Sequence, residues 1–485
     1  MRFSVVLQLL VLGAAGNMSI TKAQSAGTFT ATGDMTNARM GHTATLLHNG
    51  KVLIAGGYQN VPGGEHCEGS LHFFFGYFLD CVSRVTSAEL YDPTTGTFSP
   101  TGNMTGAGLF HTATLLPDGN VFINWGSRAE LYVPSSGTFT AISGMALGGI
   151  TATLLNNGKV LFTGLPAKLF DPSDGTLVAT GDYEGTPGNL GSATLLPDGR
   201  VLIVGNIGCC YDVGQTEIYD PRSGTFSLTA PVFAKSNGST TATLLQTGKV
   251  LAAGGGDAND DSYNPIEAGL YDEEGGTFLT IRNMTMARQD HTATLLPDGT
   301  VFVAGGDFAS GSSTEVYDPV AERFFATNNM VSPRVEHTAT LLPDGRVLIA
   351  GGLPYSNTTT STAELYKPPS LAPSPVLLSL SGDGKGQGAI QHAGTYQLAS
   401  ADNPAGAGEA LVIYCTGLAD GGFIPAQVTI GGRLAEVLWF GKTPGYIGLN
   451  QINVSVPQGV APGPAIPVRI TYLSRPSNEA TIGVQ

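Results

Sequence analysis

The chain has few charged residues, and their balance excludes two classes of partner. Only 13% of its 485 residues are Asp, Glu, Lys or Arg, and 38 acidic against 23 basic residues give a formal net charge of −15. An acidic surface repels nucleic acid and anionic lipid, so we expect neither as a partner. The low charge beside 67 glycines is typical of turn-rich β structure.

Long hydrophobic runs are absent except at the amino terminus. An apolar run over residues 5–15 follows Arg2, and small residues lead to Ala23, as in a secretory signal peptide. We therefore expect residues 1–23 to be removed and the mature chain to be extracellular or periplasmic, with no membrane insertion. The run is shorter than the roughly 20 residues that span a bilayer, and a membrane anchor is the alternative.

Cysteine is scarce, with five residues in the chain. In an exported protein we expect Cys67 and Cys81, which lie in one inserted segment, to form a disulfide. The adjacent Cys209 and Cys210 form either a vicinal disulfide or two thiols. Cys415 lies in an apolar run and is expected to be a buried thiol.

Common catalytic motifs are missing as well. The sequence has no Gly-x-Ser-x-Gly elbow, no His-Glu-x-x-His and no phosphate loop. These absences argue against the usual serine hydrolases, zinc peptidases and nucleotide-binding enzymes. The sequence indicates no cofactor and no catalytic residue.

What is present is one phrase repeated seven times. Each copy contains Ala-Thr-Leu-Leu, a Gly shortly after it and then a short apolar run; the copies begin at Ala44, Ala113, Ala152, Ala193, Ala242, Ala293 and Ala339. A Gly turn between two apolar runs predicts a β-hairpin. A second phrase, such as residues 88–98, adds two strands around a Pro-x-x-Gly turn. Four strands per repeat predict an all-β, seven-bladed β-propeller over residues 24–368.

The ends of the repeat array predict how the ring closes. The last copy stops at Pro368 without its Gly-Thr-Phe strand, whereas Gly27-Thr28-Phe29 stands alone before the first copy. We expect this N-terminal strand to complete the seventh blade, which ties the two ends of the propeller together.

The repeats resemble the kelch family. Arg-x-x-His precedes three hairpins, at Arg39, Arg288 and Arg334, and a Gly pair ends four of them, at Gly56, Gly254, Gly305 and Gly351. The resemblance covers residues 27–368, although blades two, three and four lack these Arg-x-x-His and Gly-Gly elements. It implies a kelch-type propeller whose ring is not chemically symmetric.

The connections after the Gly pairs vary in length and share one face, which we call the loop-rich face. Its longest insertion contains the candidate ligand-binding residues His72, Phe73, Phe74, Phe75, Tyr77 and Phe78. Aromatic side chains in a loop stapled by Cys67 and Cys81 predict a contact platform for a glycan or a protein. The alternative is that they pack onto the first blade or the C-terminal domain.

Four histidines begin inner strands of neighbouring blades: His42, His111, His291 and His337. A ring of imidazoles is a weak candidate for a transition-metal site. The interpretation that we favour is structural, because a kelch blade often has a His here that bonds to neighbouring loops. We therefore expect no metal.

A Pro-rich linker, residues 369–375, separates the repeats from residues 376–485. Alternating segments between Gly- and Pro-rich turns predict an immunoglobulin-like β-sandwich, in which Trp439 and Tyr446 are packing residues. Strings such as Val428-Thr429-Ile430-Gly431-Gly432 resemble an uncharacterised C-terminal module of secreted soil-bacterial (acidobacterial-type) proteins. That resemblance implies secretion but no chemistry.

This domain order also resembles the catalytic core of galactose-oxidase-type copper radical enzymes. The resemblance implies an adjacent Tyr-His pair, a His from the C-terminal domain and a Tyr cross-linked to Cys. No Tyr-His dipeptide occurs in the chain, and residues 376–485 have one histidine, His392. Fold similarity without the site does not establish the activity.

The sequence therefore favours a secreted, non-catalytic recognition or scaffold protein. It would hold a glycan or an extracellular protein on the loop-rich face, as a monomer without cofactor. Two alternatives stay open: a copper-dependent (galactose-oxidase-like) or glycan-acting enzyme on the same fold, and a structural or attachment protein of the cell envelope.

Overall fold

The structure is a computed structural model that describes most of the chain after residue 25. The described residues are 26–60, 71–72, 78–79, 82–106, 111–125, 128–143, 145, 151–164, 166–184, 190–205, 216–232, 240–255, 266–273, 275–306, 311–354, 358–372, 374–418, 423–444, 446 and 448–485. The predicted signal peptide, Cys67, Cys81, Cys209, Cys210, Phe73, Phe74, Phe75 and Tyr77 lie outside them. Of His72 and Phe78 the structure describes only the backbone.

Seven four-stranded antiparallel sheets form the propeller; six are built from one repeat each, and the seventh combines three strands of the last repeat with the N-terminal strand. The strands in chain order are β1 Thr28–Ala31; β2 Thr43–Leu46, β3 Val52–Ala55, β4 Tyr58–Asn60, β5 Leu71–His72, β6 Phe78–Leu79, β7 Val82–Arg84, β8 Ala88–Asp92, β9 Thr97–Pro100; β10 Thr112–Leu115, β11 Val121–Trp125, β12 Arg128–Val133, β13 Thr138–Ile142; β14 Ala152–Leu154, β15 Val160–Phe162, β16 Lys168–Asp171, β17 Thr176–Ala179; β18 Leu190–Leu195, β19 Val201–Gly205, β20 Thr216–Asp220, β21 Thr225–Thr229; β22 Thr241–Leu244, β23 Val250–Ala253, β24 Ala268–Asp272, β25 Thr277–Thr280; β26 Thr292–Leu295, β27 Val301–Ala304, β28 Thr314–Asp318, β29 Arg323–Ala326; and β30 Thr338–Leu341, β31 Val347–Ala350, β32 Ala363–Lys367.

The first blade shows how the residues of a repeat form its four strands. In the first, Ala44 pairs with Ile54 across a turn whose Gly50 has a φ of 81°, a backbone conformation that suits glycine. The second strand, β3, is buried along its whole length. On the third strand, the buried ring of Tyr91 lies 4.8 Å from that of Phe98 on the fourth. The predicted hairpins and outer strands are therefore confirmed.

The ring closes as the sequence predicts. Strand β1 pairs with β32, and Phe29 lies opposite Tyr366. The Phe29 ring is 5.1 Å from Tyr366 and 6.2 Å from Phe302, so the N-terminal strand packs into the seventh blade and against the sixth.

The C-terminal strands form one continuous, strongly curled sheet. They are β33 Val376–Leu377, β34 Ile390–His392, β35 Ala410–Thr416, β36 Gln427–Ile430, β37 Arg433–Lys442, β38 Asn450–Ser455, β39 Gly463–Tyr472, β40 Arg475–Pro476 and β41 Ala480–Val484. The long strand β37 pairs with β36 at its start and with β38 after it, so it joins the two halves of the sheet. Residues of both halves, such as Ile413 and Val468, share one buried core. The predicted sandwich is thus a single sheet folded over itself.

The C-terminal domain covers the face of the propeller that carries the Gly turns. Leu473 and Ser474, both with positive φ, make the turn between β39 and β40, and Leu473 packs on the buried cluster of Leu296 and Leu341. Together with Ile424 they help to line a cavity of about 640 Å³ among the inner strands. The channel is thereby capped opposite the loop-rich face.

No helix in the described part of the chain is long and apolar enough to cross a membrane.

Candidate functional site

Three residues that directly precede inner-strand histidines lie at the loop-rich mouth of the channel. In blades one, six and seven these residues are Gly41, Asp290 and Glu336, with φ values of 57°, 49° and 54°. Glycine adopts this left-handed conformation freely, whereas Asp and Glu adopt it at a cost. The backbone amide of Gly41 donates to the carbonyl of Glu336 at 3.0 Å, and that of Glu336 donates to Asp290 at 3.4 Å. The three residues therefore form a continuous arc, which we call the mouth arc.

The mouth arc places two carboxyl groups near each other. Burial, with the nearby charge of Asp290, raises the pKa of Glu336 to about 8. The shift favours the protonated form of Glu336 near neutral pH. A carboxylic acid that is protonated at neutral pH and has a second carboxyl group beside it is the arrangement used in acid–base catalysis.

The space over Gly41 is bordered by two functional side chains. A Cβ atom built on Gly41 would lie 3.6 Å from the Tyr58 ring and 3.7 Å from Oε2 of Glu336. The absence of a side chain at this position leaves room between the ring and the carboxyl group. Any larger residue here would fill that room.

Two polar atoms close to the mouth arc are buried without a hydrogen-bond partner among the described residues. They are the hydroxyl of Tyr58, which opens the long insertion, and Oε1 of Gln289, which precedes Asp290. Burial also raises the pKa of the Tyr58 hydroxyl, so it stays protonated. Buried polar groups in proteins are normally satisfied by a partner, so two unpaired atoms beside the mouth arc favour a ligand or a bound water there.

The described parts of the long insertion form two separate strand pairs, and one of them begins at Tyr58. Strand β4 pairs with β7, and Tyr58 of β4 also bridges to Met40. Farther out, β5 pairs with β6, with His72 opposite Phe78. Of the predicted aromatic platform, the structure describes only the backbones of His72 and Phe78; its side chains and the Cys67–Cys81 bond lie outside the described residues. The platform and the disulfide stay predictions.

The four candidate histidines are bonded to neighbouring blades. All are buried, and Nε2 of each lies close to a threonine hydroxyl of the adjacent inner strand: His42 to Thr338 at 3.0 Å, His111 to Thr43 at 3.1 Å, His291 to Thr241 at 3.0 Å and His337 to Thr292 at 3.0 Å. Burial lowers the pKa of all four, to about 3 for His291 and His337 and to about 4 for His111. The neutral imidazole rings therefore link adjacent blades through these histidine–threonine hydrogen bonds.

The Gly pairs make room for these rings. A Cβ on Gly305 would lie 2.7 Å from Cε1 of His337 and 2.5 Å from the carbonyl oxygen of Arg334, in the next blade. The same relation joins Gly351 to His42 and Gly56 to His111. The repeated Gly-Gly and His of the kelch-like phrase are therefore two sides of one contact between blades.

The groups that the copper-enzyme resemblance implies are engaged elsewhere. The hydroxyl of Tyr91 lies 2.9 Å from that of Thr32, and Tyr132 and Tyr219 bond to threonines in the same way. His392 bonds through Nδ1 to Glu409 and through Nε2 to the carbonyl of Asn403. Among the described residues, no group of three or more His, Cys, Asp or Glu side chains is placed to hold a metal ion. The described residues do not fit a copper centre.

Sequence reasoning missed Asp290 and Glu336. A signal was present: the residue before the histidine is glycine in one blade, which points to a left-handed backbone there. Acidic residues at the equivalent positions of two other blades must take the same conformation. That combination marks a strained, charged position rather than an ordinary turn.

Comparison with known proteins gives a likeness of fold. No protein-family model and no curated protein matches the chain. Among solved structures, a fungal alcohol oxidase of the AA5 family in complex with copper matches with a TM-score of 0.57 and 16% sequence identity. The match covers 95% of this chain and 99% of the oxidase chain. The chain is therefore similar in overall fold to that oxidase, across both the propeller and the C-terminal sheet.

Proposed function

We propose that the protein is an exported enzyme that acts on a hydroxylated substrate, a glycan in the first place, at the mouth arc. The carboxyl pair of Glu336 and Asp290 carries the proposal. Glycoside hydrolysis needs one carboxyl group that keeps its proton and a second that is ionised. A Glu336 pKa of about 8 meets the first requirement, and Asp290 supplies the second group.

The steps assigned to this chain are proton transfers and positioning. Protonated Glu336 donates to the leaving oxygen of the glycosidic bond, and Asp290 accepts a proton from the attacking water. Tyr58 and Gln289, whose buried polar atoms have no partner among the described residues, orient substrate hydroxyl groups. The predicted aromatic platform of His72 to Phe78, in the insertion that begins at Tyr58, would extend the contact with sugar rings.

The experiment is a hydrolysis screen with matched variants. The wild-type mature chain is assayed on neutral polysaccharides for new reducing ends, together with Glu336→Gln and Asp290→Asn. The control is Glu322→Gln, since Glu322 also has a positive φ of 48° but lies exposed on an outer turn. We expect each mouth variant to lose about 100-fold or more in rate, as for removal of a general acid or base. The control should keep full activity.

Two results would contradict this proposal. Retained hydrolysis in both mouth variants would place the chemistry elsewhere. Glycan binding at the mouth without hydrolysis by the wild type would return the protein to the class of non-catalytic recognition proteins.

A copper-dependent alcohol oxidase is the second candidate. The likeness of the whole fold to a copper-bound alcohol oxidase favours it. Because the described residues do not fit the metal, no step is assigned to copper here. Loading the protein with Cu²⁺, removing free ion and measuring bound copper by elemental mass spectrometry tests this candidate, with peroxide production from primary alcohols as the activity readout. One tightly bound copper per chain would support it, and no bound copper would exclude it.

A further inference from the structure

A cleft lies between the C-terminal sheet and the Gly turns of blades three and four, and it contains no residue of the mouth arc. Its volume is about 850 Å³, within the range of ligand pockets. Its walls include Trp439, Leu438, Glu436, Ser455 and Gln458 of the C-terminal domain and Asn156 of the third blade. We call it the interdomain cleft.

A β-bulge brings apolar side chains into this cleft. The register between β37 and β38 shifts between Val437 and Trp439, so the strict alternation of inward and outward side chains breaks at Leu438. Phe440 still pairs with the fully buried Ile452, on the core side of the sheet. Leu438 and Trp439 are consequently both exposed, by 51% and 43%. The sequence-based interpretation of Trp439 as a packing residue is wrong to this extent.

The indole of Trp439 lies along the sheet rather than out into solvent. A Cβ built on Gly441, two residues further along the strand, would lie 3.0 Å from Cζ2 of the indole. Any side chain at position 441 would push the ring away from the sheet. Glycine there therefore leaves room for the benzene edge of the indole against the strand, and Trp439 stays 43% exposed where it lines the cleft.

The remaining walls supply hydrogen-bonding groups without a positive charge. Glu436 pairs with Ser455 across the strands, and both line the cleft together with Gln458. Among the described residues that line the cleft, none is Lys or Arg. An anionic ligand is disfavoured by Glu436 and by the chain's net charge of −15.

We propose that the interdomain cleft binds a neutral glycan chain of β-linked pyranose rings. Such rings have a flat C–H face, which matches the exposed part of the Trp439 indole, and equatorial hydroxyl groups at their edges, which match Glu436, Ser455 and Gln458. The aromatic face supplies buried area at low entropy cost, and the polar groups set orientation. The cleft shares no residue with the mouth arc, so glycan binding in the cleft can be tested separately from hydrolysis at the mouth arc.

The chain contains its own reporter for this site. It has two tryptophans, and Trp125 is buried in the cluster between the first and second blades. A ligand that covers Trp439 should therefore shift the tryptophan emission to shorter wavelength and reduce its quenching by acrylamide. The probes are cellohexaose, xylohexaose and chitohexaose, each titrated into the full mature chain.

Matched variants locate the effect. Measured by calorimetry, Trp439→Ala should weaken binding of the active hexaose by about 10-fold or more, as for loss of a central aromatic contact. Glu436→Gln should weaken it less, and Tyr396→Ala, which removes an exposed aromatic ring outside the cleft, should leave it unchanged. Glu336→Gln should also bind normally, which separates this site from the mouth arc.

Three outcomes would overturn the proposal. The first is an unchanged tryptophan emission and acrylamide quenching with all three hexaoses. The second is an affinity of Trp439→Ala for the hexaose equal to that of the wild type. The third is that a Pro-rich peptide, added as a further probe, shields Trp439 from acrylamide while no hexaose does. The acrylamide-quenching experiment uses the wild-type protein only. It therefore still tests the proposal if Trp439→Ala does not fold.

Discussion

Arg288 and Glu315 form an ion pair that is closed to solvent, with Nε and Oε1 2.7 Å apart and both side chains 0% exposed. The guanidinium also donates to the carbonyls of Gly305 and Ser313. The same pair recurs as Arg39 with Glu89 and Arg334 with Glu364. The arginine of each Arg-x-x-His phrase thus ties the start of an inner strand to the third strand of its own blade.

Removing one member of this pair should be costly. Arg288→Met leaves the carboxylate of Glu315 buried without its cation, and we expect a loss of about 3–5 kcal/mol in unfolding free energy. The control is Arg222→Ala, because Arg222 is 74% exposed and its ion pair with Asp220 is long, at 3.4 Å. That change should cost at most about 0.5 kcal/mol. Urea unfolding of both variants decides the matter, and equal midpoints would refute the role assigned to the buried pair.

A second prediction separates backbone strain from contact between blades. Gly305 and Gly175 both have positive φ, but a Cβ on Gly305 would strike the next blade while one on Gly175 would meet nothing within 4 Å. Gly175→Ala should therefore cost about 1 kcal/mol through backbone conformation alone. Gly305→Ala should cost about 2–5 kcal/mol, since steric overlap is added. Thermal melting measures how much more stability Gly305→Ala loses than Gly175→Ala. Equal losses would mean that the blades do not meet at Gly305.

The buried histidines should make the fold sensitive to acid. Burial first, then the charges of Arg334 and His291, lower the pKa of His337 to about 3, whereas an unfolded histidine titrates near 6.5. The unfolded chain therefore takes up protons first, and stability is present above about pH 6.5 and is lost as the pH falls towards 4. Each such histidine contributes about 1.4 kcal/mol per pH unit in that window.

The variant His337→Gln tests this contribution, because an amide can bond to Thr292 but does not titrate. Its unfolding free energy should fall less steeply between pH 6.5 and 4.5, by about 1.4 kcal/mol per pH unit relative to the wild type. Parallel curves for the two proteins would mean that His337 is protonated in the folded state at an ordinary pH.

Glu336 should make the unfolding free energy depend on pH in the opposite direction to the histidines. With a folded-state pKa near 8, it stabilises the fold while protonated, and that contribution is lost as the pH rises from about 4.5 through 8. Glu336→Gln should therefore be more stable than the wild type above pH 8, by a few kcal/mol, and similar to it at pH 4.5. A gain in stability together with a loss of activity is the signature of a functional group kept at a cost to the fold. A variant less stable than the wild type at pH 8.5 would contradict it.

Much of the architecture could be predicted because its causes are local. The Gly turn after Ala-Thr-Leu-Leu sets a hairpin within a dozen residues, and the unpaired Gly27-Thr28-Phe29 strand has only one blade left to complete. The C-terminal domain was predicted less fully. Alternation along β37 indicated a strand, but the register shift beside Leu438, which turns Trp439 outward, depends on pairing with β38.

The candidate site was not predictable to the same degree. The insertion around His72 was singled out for its aromatic residues, whereas Asp290 and Glu336 stand 46 residues apart in numbering within otherwise ordinary repeats. Their backbones meet through a bond between the sixth and seventh blades, and Glu336 then lies over Gly41 of the first. A raised pKa follows from that burial and cannot be read from the residue type.

The sequence by itself determined the number of blades, the order of strands and the closure of the ring. These follow from turn chemistry and from an alternation that each repeat carries within its own length. The tertiary structure alone decided which side chains meet across blades and domains. The mouth arc, the histidine–glycine contacts and the interdomain cleft all arise from the packing of segments far apart in the chain, and burial in that packing sets their charge and their chemistry.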